Sequence, residues 1–102
     1  MPIPDEPSAI YAHVAAALAA AVDEPWREIV LRIDTVEGSI GLTGDYHTPD
    51  GSRRDLDVRR LDYSVSKALR NLNRQMAGTA AAWSDAAFHL SQDGDFRFAV
   101  LR

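Results

Sequence analysis

Five segments of this chain alternate apolar and polar residues with a period of two, the pattern of half-buried β-strands. Ile29, Leu31 and Ile33 alternate with Glu28, Arg32 and Asp34. Ile40, Leu42, Gly44 and Tyr46 alternate with Ser39, Gly41, Thr43 and Asp45. Leu56 and Val58 alternate with Asp55, Asp57 and Arg59. Ala86, Phe88 and Leu90 alternate with Asp85, Ala87 and His89, and Phe96, Phe98 and Val100 with Arg97, Ala99 and Leu101. Strands of this kind build an antiparallel sheet covered on one side only. Two other segments repeat at helical spacing. Ile10, Val14, Leu18 and Val22 recur every four residues, after a capping Ser8 and before a stop at Asp23-Glu24-Pro25. Leu61, Val65, Leu69, Leu72 and Met76 predict a second helix over about 62–81, capped by Asp62 or Ser64.

The connectors fit this reading. Val36-Glu37-Gly38 is expected to join the first two strands, Pro49-Asp50-Gly51 to turn the chain into the third, and Asp93-Gly94 to form a type I′ hairpin. Gly41 and Gly44 inside the second strand mark a bulge or a close approach. Trp26 and Trp83 stand where the first and fourth strands open. The order is α-β-β-β-α-β-β. With both helices on the apolar side it predicts an α+β two-layer sandwich, a five-stranded antiparallel sheet with two helices on one face. A chain of 102 residues is expected to form a single domain over 1–102, with 1–7 as an extended, proline-containing leader.

Composition narrows the function. There are no cysteines, which excludes a disulfide scaffold, thiol chemistry and Cys-based zinc sites and fits a reducing cytoplasm. The polar, acidic start does not read as a signal peptide, and the run from Val14 to Val22 is too short to span a bilayer. A soluble cytoplasmic protein with no membrane association is the expectation. Fifteen acids against 11 bases give a formal net charge of −4, which argues against direct nucleic-acid binding and suits a basic protein partner.

No enzyme pattern emerges. His13, His47 and His89 fall on a helix, a turn and a strand, without metal-ligand spacing. His13 is expected at the surface, His47 in solvent, and His89 on the polar sheet face. The glycines make no phosphate loop and the aspartates of 45–57 no calcium loop. No catalytic residue, metal or cofactor is therefore assigned. The polar face itself is the most informative feature. Its acids are Glu28, Asp34, Asp45, Asp55, Asp57 and Asp85, against Arg32, Arg59 and Arg97, with small residues leaving flat areas between them. Asp55 and Asp57, two apart on one predicted strand, are expected to point the same way. An acidic, flat face can dock a basic protein and steer its approach.

The arrangement of several motifs resembles the YezG-like immunity proteins, antitoxins of bacterial polymorphic toxin systems. They are Pro25-Trp26-Arg27-Glu28-Ile29, the strand Gly44-Asp45-Tyr46 running into Asp50-Gly51, Leu69-Arg70-Asn71-Leu72 with Met76, Ala82-Trp83, and Asp93-Gly94-Asp95-Phe96. The likeness runs from about Ile10 to Val100 and lies in structural motifs. It implies a cytoplasmic protein that binds a cognate toxin domain, often a nuclease and then basic, and blocks it by steric and electrostatic occlusion. On the face argument, the expected partner-binding residues are Asp34, Asp45, Asp55, Asp57 and Asp85. A self-associating module that pairs through an exposed sheet edge, without a toxin partner, is the alternative.

Overall fold

The computed structural model describes residues 6–36, 39–79 and 82–102. Residues 1–5 of the expected leader, Glu37-Gly38 of the first hairpin loop, and positions 80–81 of the expected second helix lie outside them. The first helix, α1 (Pro7–Ala21), starts two residues earlier than the cap at Ser8 predicts. Pro7 is taken into its first turn, where the missing N–H costs nothing, and Glu6 holds the N-cap position without a side-chain bond. Strands β1 (Glu28–Val36) and β2 (Ser39–His47) follow. The second helix, α2 (Tyr63–Met76), is capped by the Asp62 carboxylate, which accepts from the Ser64 N–H. It ends five residues before the expected 81, and Gly78 follows in the left-handed region at φ 78°. Strands β4 (Asp85–Ser91) and β5 (Phe96–Val100) complete the order.

The third strand departs most from expectation. Strand β3 holds only Arg53–Asp55. Leu56 then turns into the core, 6 % exposed. Asp57 caps a 3-10 turn at Val58–Arg60, its carboxylate accepting from the Arg59 N–H at 3.1 Å. A short acidic side chain bonds its own backbone two residues on, and that bond competes with a sheet ladder. Asp55 and Asp57 therefore do not stand side by side on one strand.

All pairings are antiparallel, and the strand order is β3-β2-β1-β4-β5. The hairpins at 48–52 and 91–95 share one geometry. Thr48 N–H donates to the Ser52 carbonyl and Gly51 N–H to the Thr48 carbonyl, both at 2.9 Å. Ser91 N–H likewise donates to Asp95 at 2.8 Å, and Gly94 N–H to Ser91 at 3.0 Å. Gly51 and Gly94 sit at φ 89° and 95°. Each loop is thus three residues long with a glycine bulge, and 93–94 is not the two-residue type I′ turn expected. Asp50 and Asp93 each accept from the N–H two residues on, which locks both turns.

Both helices cover one face of the sheet. Ile10, Val14 and Leu18 of α1 and Val65, Leu69 and Leu72 of α2 are fully buried against Ile29, Leu31 and Phe88. Tyr11 lies over β5, its ring centroid 5.7 Å from Phe96 and 5.5 Å from Phe98. His13, expected at the surface, is half-buried and hydrogen-bonded through Nε2 to Ser64 Oγ at 2.8 Å, tying α1 to α2. Among the described residues no helix is long and apolar enough to cross a membrane.

Candidate partner-binding face

The opposite face of the sheet carries no cover among the described residues, and the register arranges its side chains in rows. One row runs Asp55, Asp45, Val30, His89 and Arg97 across all five strands. The next holds Thr43, Arg32, Ala87 and Ala99, and the one beyond it Gly41, Asp34 and Asp85. On the other side lie Arg53, His47, Glu28 and Ser91.

Asp45 is the hub of this face and its most buried acid, 2 % exposed. Its Oδ2 accepts from Arg32 Nη1 at 3.0 Å, from Arg53 Nε at 3.0 Å and from Arg53 Nη2 at 2.7 Å. Burial by itself would raise its pKa. The hydrogen bonds from Arg53 and Arg32, and then their charges, outweigh burial and hold the carboxyl below its ordinary value. Asp45 is therefore spent inside the protein rather than offered from it. Asp45→Asn is expected to cost about 2 kcal/mol in urea unfolding at neutral pH, the size of a lost charge-assisted pair. A depressed folded-state pKa gives stability that is present above the unfolded value and lost as pH falls through the folded one. The gap between the two proteins should accordingly narrow as pH is lowered below about 4.

Asp34 and Asp85 form a different arrangement. They are direct partners across β1 and β4. The neighbouring Thr35 N–H donates to the Ser84 carbonyl at 2.9 Å, which makes Asp34–Asp85 a non-hydrogen-bonded pair, the kind with the closest side chains. Gly41 provides the seat for Asp34: a Cβ there would lie 2.3 Å from Asp34 Oδ1. Gly44, on the core side, admits Leu56 in the same way, so both glycines are close approaches in an unbroken register. Arg102 Nε reaches Asp85 Oδ2 only at 3.7 Å. Arg32, Asp34, Thr43, Asp85 and Leu101 line a shallow depression of about 330 Å³.

A second depression, of about 230 Å³, is lined by Glu28, His89, Ser91, Asp95, Phe96 and Arg97. His89 lies on the polar face as expected, with Nδ1 3.3 Å from Glu28 Oε1. His47, expected in solvent, is half-buried at the end of β2, and its buried Nδ1 has no hydrogen-bond partner among the described residues. Asp55 is exposed at the β3 edge. Asp57 lies beyond it on the 3-10 turn, held by Arg59 Nε at 3.0 Å. Of the five expected acids, the fold thus brings Asp34 and Asp85 together, leaves Asp55 at the rim, folds Asp45 inward and sets Asp57 apart. Arg53 and Val30 were not among the site residues expected. Val30, 8 % exposed, sits on the uncovered face, and its signal was the apolar run Ile29-Val30-Leu31, which breaks the alternation. Among the described residues no group of three or more His, Cys, Asp or Glu is placed to hold a metal ion. No family model and no curated protein matches this chain.

Proposed function

We propose that this protein is an immunity protein, which binds a cognate toxin domain with the uncovered sheet face and neutralises it by occlusion. The observation that carries the reading is the Asp34–Asp85 pair. Two like charges directly opposed across a sheet destabilise the free protein. A guanidinium or ammonium from a partner, placed between the carboxylates, removes that repulsion and gains two charge-assisted bonds. The cost borne by the free protein is then recovered on binding. The surrounding Thr43, Ala87 and Ala99 are small, so a partner surface can approach the backbone of β1 and β4 closely. A nuclease suits this face because it must itself be basic to hold phosphates. The immunity protein performs no chemistry in this scheme; it places carboxylates where nucleic-acid phosphates would lie.

The direct test is growth rescue. The toxin domain encoded beside this gene is expressed in a sensitive host, with and without this protein. Rescue with co-purification of the pair is the expected result. Toxicity unrelieved by this protein would remove the reading.

A further inference from the structure

The two edges of the sheet are built differently. β3 closes one edge with three residues, Arg53-Arg54-Asp55, all exposed and charged. Short, charged edges resist pairing with other chains. β5, at the other edge, reads Phe-Arg-Phe-Ala-Val, without lysine or proline. Ser91 N–H donates to Asp95 and Leu101 N–H to Asp85, each at 2.8 Å, so the odd-numbered residues of this segment bond to β4. By the antiparallel alternation, the N–H and C=O of Phe96, Phe98 and Val100 point away from the sheet. The side chains of Phe96 and Val100 are 45 % and 51 % exposed.

The helix above this edge is α1, placed there by the tilted ring contacts of Tyr11 with Phe96 and Phe98. Its 15 residues include no Asp, Glu, Lys or Arg, whereas the outer face of a surface helix is ordinarily charged. At helical spacing, the flank away from the His13 contact with α2 carries Ser8, Tyr11, Ala12, Ala15 and Ala19. Apart from Arg97, which lies on the opposite face of the sheet, strand edge and helix flank form one uncharged strip along the same side of the molecule.

We infer that β5 pairs antiparallel with β5 of a second copy of this chain, the α1 flanks packing together across the seam. The strip is self-complementary, as a two-fold interface requires. With Phe98 opposite Phe98 all five residues overlap, Phe96 meets Val100, and each Arg97 faces Ala99 rather than its own counterpart. A two-fold axis perpendicular to the sheet puts both α1 helices on one side, where alanines allow close approach. It leaves the opposite face open on both copies, so the dimer stands independently of toxin binding. The strips are about 17 Å and about 22 Å long. They bury less than the roughly 800 Å² per partner of a standard interface, which makes the dimer weak and dependent on concentration.

Sedimentation from about 1 to about 500 μM tests this, because mass action then moves the equilibrium. The mass is expected to double across the range. The amides of Phe96, Phe98 and Val100 are expected to gain protection from hydrogen exchange at the high end. Val100→Lys and Ala12→Glu, both at exposed positions, should each weaken association by about tenfold or more, a loss of about 1.4 kcal/mol, with melting temperature unchanged. A monomer throughout the range, or a dimer that both variants leave intact, would overturn the proposal.

Discussion

Phe88→Ala is expected to cost about 3–5 kcal/mol of stability, the range for truncating a buried aromatic. Phe88 is the largest fully buried side chain described, at the centre of β4 and opposite Leu31 of β1 and Phe98 of β5. Its ring stacks on Phe96 at 5.4 Å and lies 6.3 Å from Tyr11. Removing it takes away apolar burial and also leaves a void beneath α1. The lining cannot collapse easily, because Leu31 and Phe98 are fixed by the ladders on both sides. A domain of this size holds about 5–15 kcal/mol in total, so the variant should be close to unfolding at physiological temperature. Thermal melting should fall by about 15–30 °C. Phe96→Ala, at the half-exposed rim of the same stack, should cost about 1 kcal/mol by comparison. A loss at Phe88 no larger than that at Phe96 would mean that α1 is not packed on the sheet as described.

The elements whose apolar side chains share one face were legible in the sequence. β1, β2, β4 and β5 each turn alternate residues towards the helices, although Val30, Asp45 and Ala87 on the other face are buried too, and the spacing of Val65, Leu69 and Leu72 marks α2 because those three all face the sheet. Elements decided by local backbone bonds were not. Leu56 and Val58 alternate like strand residues, yet the Asp57 carboxylate captures the Arg59 N–H and the chain leaves the sheet. The Asp93-Gly94 pair suits two turn types, and the bond from Gly94 to Ser91 selects the longer one.

For the candidate site the limit was register. Alternation assigned Asp34, Asp45 and Asp85 to one face. It could not say that Asp34 would meet Asp85 while Asp45 would meet Arg32 and Arg53. Those encounters depend on strand order and on which residues are opposed, and neither is written in the period of a single strand. The same limit explains His13: it bonds Ser64, 51 residues on in the chain, and no nearby residue signals that contact.

Reversal of both charges, Asp34→Lys with Asp85→Lys, is expected to weaken toxin binding by at least about 100-fold, given the coupling energies of close interfacial charge pairs. The fold should tolerate the change, because a repelling pair of carboxylates is replaced by a repelling pair of ammonium groups. Among the described residues only the long Arg102 contact is lost. The milder variant, Asp34→Asn with Asp85→Asn, separates function from stability. It abolishes the repulsion, so the free protein should gain up to about 1 kcal/mol. It also removes the charge that a basic partner would meet, so affinity should drop and become less sensitive to salt, since screening acts only on charges that remain. A binding surface that costs stability leads to this opposite movement of the two quantities. A carboxylate pair that is merely solvated predicts the stability gain alone. Calorimetric titration of the toxin domain with each variant, beside urea unfolding of the free proteins, distinguishes them. Unchanged affinity in the asparagine pair would move the interface away from β1 and β4.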